Sequence, residues 1–93
     1  MVVGILSLEL HLPMVSSLKE KRSILKSLKD QLRNRFNIAV AEVDANDKWQ
    51  LASIGVAAIG SNRQHIDASL QHVADWVRES RLVDLIRVEM ELL

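Results

Sequence analysis

Apolar residues recur along the chain in two patterns, alternation with other residues and spacing by three and four. Together these patterns predict four strands and two helices. Leucines alternate with polar residues over 2–12, and apolar residues alternate with charged ones over 86–92. Each of these segments is therefore predicted to form a strand with one solvated face. A short run rich in β-branched residues, 38–43, predicts another strand, and the apolar run 51–59 after a polar turn predicts a further one.

Residues 17–36 form the more informative of the two predicted helices. Apolar residues recur there at intervals of three and four, so that they share one side of a helix. Ser17 followed by Glu20 has the spacing of a capping box, which predicts where the helix starts. Five basic residues also step by three and four and form one stripe beside the apolar side: Lys19, Arg22, Lys26, Lys29 and Arg33.

A second amphipathic helix is predicted over 62–79, with Ser61 and Gln64 as its capping box. The resulting order β-α-β-β-α-β predicts an α+β, ferredoxin-like fold, with both helices on one face of a four-stranded antiparallel sheet. The expected strand order is 4-1-3-2, which places Glu9 opposite Arg87 on the open side. The 93 residues are expected to form a single domain over 1–93.

The second and third strands carry apolar or small residues on both faces, although the helices can cover only one face. We therefore expect the open face to pack on another copy of the chain, as a homo-oligomer. An ordinary open face that tolerates a scatter of alanines is the alternative, since much protein surface is apolar. The candidate interface residues are Ala39, Ala41, Trp49, Ile54 and Val56.

Charge is unevenly distributed in a chain whose formal net charge is zero. Residues 17–36 contain seven bases and two acids, whereas the rest of the chain contains five bases and ten acids. Neighbouring like charges on a helix repel by a few tenths of a kcal/mol per pair, so something is expected to offset the stripe. A bound anion, carboxylates of a neighbouring element and plain solvation remain as alternatives.

The residue types and spacings favour no catalytic site, metal site or cofactor. His65 and His72 lie seven residues apart, about 10.5 Å along a helix, which is too far for one metal ion. Glu42, Asp44 and Asp47 cluster at a turn, where acids and amides are usual. Neither expected central strand carries the aromatic residues that an RRM uses to stack bases.

Several segments resemble the YlxP-like family of small bacterial proteins. They are S-L-K-E-K-R-S-I-L-K-S-L (17–28), R-N-R-F-N-I-A-V-A-E-V (33–43), W-Q (49–50) and the closing E-M-E-L-L. Leu51 departs from the pattern, because another basic residue is expected there. The resemblance implies a ferredoxin-like fold. It also implies a role near RNA or the ribosome, since the family's genes tend to lie among those for translation initiation and ribosome maturation.

Three functions follow, in decreasing order of support from the sequence. The first is a non-enzymatic accessory protein that contacts RNA or the ribosome through the basic stripe. The second is a self-assembling scaffold whose stripe pairs with acids of a sister subunit. The third is an enzyme that uses Glu42, Asp44 or a histidine. No small-molecule substrate or membrane partner is indicated, and the absence of cysteine and of an apolar leader suits the cytoplasm.

Overall fold

The alternating leucines of the first segment form a central strand of an antiparallel sheet. The structure is a computed structural model that describes residues 1–44 and 48–93. Asp47, one acid of the predicted turn cluster, lies outside the described residues. The six elements are β1 (Val2–His11), α1 (Leu18–Arg35), β2 (Ala39–Glu42), β3 (Leu51–Gly60), α2 (Arg63–Arg78) and β4 (Asp84–Leu92).

The sheet has the order β2-β3-β1-β4, and all three strand pairs are antiparallel. This confirms the predicted α+β, ferredoxin-like arrangement and strand order. Glu9 lies opposite Arg87, as the pattern predicts, and a register shift follows immediately between Glu9 and Leu10. Arg87 makes its ion pair with Glu89 of its own strand.

One face of the sheet packs against the helices and holds the core. Leu6, Leu8 and Leu10 of β1 are at most 1% exposed, and both helices bury their apolar sides. The close fit is clearest at Gly4, where a Cβ atom would lie 2.6 Å from side-chain carbons of Ile66 and Leu70. β1 therefore approaches α2 more closely there than a larger residue permits.

The prediction that Ile54 and Val56 belong to an exposed interface is wrong. Ile54 is 0% exposed and Val56 is 2% exposed, because both side chains point into the core under the helices. Successive side chains of a strand point to opposite faces, so the open face of β3 carries Gly55 and Ala57 instead. These two residues lie opposite the exposed Ala41 and Ala39 of β2 respectively.

The helix starts agree only partly with the predicted capping boxes. Ser17 caps α1, and its Oγ accepts a hydrogen bond from the Glu20 backbone N–H at 3.1 Å. The Glu20 carboxylate accepts from the Ser16 hydroxyl at 2.9 Å, rather than from Ser17. The N-cap of α2 is Asn62 and not Ser61, because the Asn62 amide oxygen reaches the backbone N–H three residues later at 3.0 Å.

Candidate functional site

The five predicted cations keep to one side of α1. At about 100° per residue they occupy a sector of about 80° next to the apolar side. Four of them are exposed and Lys29 is half-buried. We call this surface the basic face; it consists of Lys19, Arg22, Lys26, Lys29 and Arg33.

Among residues 1–44 and 48–93, one carboxylate forms ion pairs with the basic face, that of Asp30. Its oxygens lie 3.0 Å from the Lys26 Nζ and 3.5 Å from the Arg33 Nη1. The hydrogen bond from Lys26 is the main cause that lowers the pKa of Asp30, so the carboxylate is ionised throughout the neutral range. One negative charge is shared between two cations, and the surface stays positive.

Arg33 has a second partner that the sequence pattern did not reveal. Its Nη2 donates a hydrogen bond to the Val40 carbonyl oxygen in β2 at 2.7 Å. The guanidinium therefore joins the last turn of α1 to β2 as well as to Asp30. This engagement separates Arg33 from the other cations of the basic face.

Three cations of the basic face are not neutralised in this way. Within residues 1–44 and 48–93, Lys19, Arg22 and Lys29 make no ion pair with a carboxylate. The nearby Glu20 carboxylate accepts hydrogen bonds from the backbone N–H and hydroxyl of Ser16. In the described part of the chain, ion pairing thus offsets the repulsion at Lys26 and Arg33.

Lys21 is a structural residue that the sequence reasoning did not single out. It is 3% exposed, and its Nζ donates a hydrogen bond to the Lys48 carbonyl oxygen at 3.0 Å. The signal was available, since Lys21 lies three residues after Leu18 and four before Leu25, on the apolar side of the helix. A lysine at such a position buries its aliphatic stem and needs a partner for its ammonium group.

Trp49 lies in a cleft at one end of the sheet. The cleft has a volume of about 550 Å³ and is lined by His11, Lys48, Trp49, Gln50 and Leu51. Half of Trp49 is exposed, so the ring does not close the end of the core. On the far side of the cleft, the His11 Nδ1 lies 3.4 Å from a carboxylate oxygen of Asp84.

Backbone and side-chain hydrogen bonds hold the cleft against the start of α1. The Leu12 backbone N–H donates to the Gln50 carbonyl oxygen at 2.8 Å. The Gln50 side-chain amide donates to the Val15 carbonyl oxygen at 3.4 Å. The Lys21 ammonium holds the same turn from the helix side.

The remaining candidate residues are spread over the surface. His65 and His72 are exposed on α2, and Glu42 and Asp44 are exposed at the end of β2. No three carboxylates or histidines converge on a common point among the described residues. Over the same part of the chain, neither α1 nor α2 has the length and apolarity needed to cross a membrane.

Comparison with known proteins places the chain in a family. Residues 3–90 match the family described as "Protein of unknown function (DUF503)". The chain is also 34% identical over 76 residues to "Uncharacterized protein YlxP" of Bacillus subtilis (strain 168), which covers 82% of this chain and 83% of that protein. The chain therefore belongs to the DUF503 family, the YlxP-like family that its sequence resembles.

Proposed function

We propose that this protein is a non-enzymatic accessory protein that binds RNA through the basic face of α1. The observation that carries the proposal is the set of three cations, Lys19, Arg22 and Lys29, that form no direct ion pair with a carboxylate within 1–44 and 48–93. With Lys26 between Arg22 and Lys29, neighbouring cations of the basic face are three or four residues apart, which places their Cβ atoms about 5–6 Å apart. Such a row can meet successive phosphates of a nucleic-acid strand.

The distribution of charge supports binding in one orientation. The solvent-facing side of β4 carries Glu89, Glu91 and Arg87, and Arg87 pairs with Glu89 and lies opposite Glu9 of β1. Three carboxylates and one guanidinium leave that side negative, so a polyanion is attracted instead to the side that carries α1. Because the whole protein has no net charge, such binding depends on the local arrangement and not on the overall balance.

The open sheet face is a poor alternative as an RNA-binding surface. The central strands β1 and β3 contain no Phe, Tyr or Trp. Modules that bind RNA on their sheet stack bases on aromatic residues at those strands. Contacts from α1 would instead go mainly to phosphates, so we expect little dependence on base sequence.

The salt dependence of RNA binding tests the proposal. Fluorescence anisotropy with a labelled 20-nucleotide single strand and a 20-base-pair RNA duplex gives Kd between 50 and 200 mM salt. Three phosphate contacts predict a log–log slope of about −2 to −3, and participation of Lys26 and Arg33 would bring it near −4. No binding of either RNA at low salt, or binding with a flat slope, would reject the proposal.

A second candidate is assembly of copies through the open sheet face. Val43 packs over Gly55 on this face, and both Val43 and Ile59 are 63% exposed. These residues flank the exposed Ala39 and Ala41 of β2. If two copies cover this face, light scattering at increasing concentration will give twice the chain mass, and Ile59→Arg will return the particle to a monomer. A particle that stays monomeric at every concentration would exclude this assembly.

A further inference from the structure

The sheet has two outermost strands, and the longer of them, β4, has an open outer edge. β4 runs over nine residues, Asp84–Leu92, whereas β2 has four, Ala39–Glu42. At the outer edge of β2, the Val40 carbonyl oxygen accepts the hydrogen bond from Arg33. In the part of the chain that the structure describes, no group makes a hydrogen bond to the outer backbone edge of β4. Such an edge offers a row of backbone donors and acceptors to another strand.

The hydrogen bonds of β4 to β1 show which of its residues point outwards. Val3 and Leu93 exchange both of their backbone hydrogen bonds, at 3.2 and 2.7 Å, so the backbone groups of Leu93 face β1. Successive residues of an antiparallel strand point these groups to opposite sides, and the register with β1 is regular as far as Arg87. The N–H and C=O groups of Val88 and Met90 therefore point away from β1, towards the open edge.

The charges on either side of Val88 are complementary to a second copy of the same strand. Arg87 and Glu89 are exposed and form an ion pair with each other. When Val88 lies opposite Val88 of a second, antiparallel copy, Arg87 of each copy lies opposite Glu89 of the other. These are positions without mutual backbone hydrogen bonds, where opposing side chains come closest. Opposite charges that face each other across two strands stabilise the pairing.

The same charges disfavour the neighbouring registers. Outward-pointing residues must lie opposite one another, so the second copy can shift only in steps of two residues. A shift of two places Glu89 opposite Glu89, or Arg87 opposite Arg87, according to its direction. Like charges directly opposite each other are destabilising. Charges usually keep an edge strand from pairing, but on β4 they leave one register in which two copies attract.

We infer that two copies of this chain pair through β4, antiparallel and centred on Val88, and form one sheet of eight strands, four from each copy. This inference goes beyond the proposed function and does not depend on RNA. Val88 and Met90 pack on the core but are only half-buried, and pairing brings the Val88 side chains of the two copies together. The pairing uses an edge of the sheet and leaves Ile59 of the open face exposed.

The paired stretch is short, because the register of β4 shifts between Arg87 and Leu85. An interface of this kind buries less surface than a stable complex, so we expect a weak dimer with a Kd of roughly 10–100 μM. The dimer therefore forms and dissociates with concentration, and its two states can be compared in one sample.

Exchange of the charges at positions 87 and 89 tests the pairing. In sedimentation equilibrium from about 5 μM to 1 mM, the mass of the wild type should rise from one chain to two. Arg87→Glu and Glu89→Arg each turn two attractive pairs into two repulsive ones, so each should weaken the dimer by about 10-fold or more. The two variants mixed in equal amounts should form a dimer with each other, since every opposing pair is then complementary. A chain that carries both substitutions should dimerise as the wild type does.

Ile59→Arg is the control for assembly through the open face. It places a charge on an exposed apolar position of β3, away from β4, and should leave the dimer unchanged. If Ile59→Arg is a monomer where the wild type is a dimer, the open face and not β4 joins the copies. A wild type that stays monomeric up to about 1 mM, or two charge variants that fail to associate when mixed, would likewise overturn the inference.

Amide hydrogen exchange gives a readout that needs no substitution. The Val88 N–H points outwards from β4, so its exchange should slow as the dimer forms. The Glu42 N–H provides the comparison on the other edge of the sheet. It points outwards from β2, because the next residue, Val43, donates to the Ser53 carbonyl oxygen at 3.0 Å. Its exchange should not change with concentration, and equal slowing at Glu42 and Val88 would contradict pairing through β4.

Discussion

Reversal of three charges on the basic face, Arg22→Glu with Lys26→Glu and Lys29→Glu, is expected to weaken RNA binding by about 100-fold or more. Two unit charges 4 Å apart in water attract by about 1 kcal/mol, and a reversed charge replaces that attraction by repulsion. The sum for three positions therefore exceeds the roughly 2.8 kcal/mol of a 100-fold change. Arg33 is left unchanged because it also binds Val40.

The matched control is a triple variant with the same change in net charge elsewhere, Arg63→Glu with Arg78→Glu and Arg81→Glu. These three residues are exposed on α2 and just after it. Both variants are measured by anisotropy with the same labelled RNA, and circular dichroism gives their melting temperatures. Equal losses in the two variants would show that only overall charge matters, and the basic face would then have no special role.

Replacement of Lys21 is expected to have the largest effect on stability among the residues of α1 that carry charge. Lys21→Ala removes a buried aliphatic stem and the hydrogen bond to the Lys48 carbonyl. We expect a loss of about 2–4 kcal/mol in the free energy of unfolding, since a cavity replaces packed methylene groups. For a domain of this size the melting temperature should fall by about 10–20 °C.

Lys21→Met separates the two contributions to this loss. Methionine keeps an unbranched stem of similar length but offers no donor to the carbonyl oxygen of Lys48. We expect it to lose about 1–2 kcal/mol, because hydrogen bonds from charged groups contribute about that much or somewhat more. Urea unfolding of wild type, Lys21→Ala and Lys21→Met measures the difference. Wild-type stability in Lys21→Met would mean that only the stem matters.

Alternation and helical spacing predicted the fold because β1, β4 and both helices have a clear period, and the β-branched residues of β2 and β3 indicate the other two strands. The sheet order follows from short connections and right-handed crossovers, so it needed no tertiary information. The capping of α2 was less predictable, since Ser61 and Asn62 are both good N-caps and the choice depends on how β3 ends. The faces of β3 were harder still, because Ile54 and Ala57 are both apolar and only packing decides which one is covered.

The basic face was also visible in the sequence, since helical spacing fixes which side chains share a side. The hydrogen-bond partners of side chains on α1 could not be predicted in the same way. The hydrogen bond from Arg33 to Val40 and the one from Lys21 to Lys48 both join α1 to segments later in the chain. No periodicity within one element predicts such contacts. The cleft at Trp49 was missed as a cavity for the same reason, because β1 and the turn before β3 build it together.

The hydrogen bond from Arg33 to the carbonyl oxygen of Val40 also covers part of an exposed sheet edge. β2 is an outermost strand of only four residues, and an uncovered row of backbone groups there would be a template for strand addition by another chain. The guanidinium occupies one acceptor of that row. Arg33 thus covers part of the edge at which strand addition would begin.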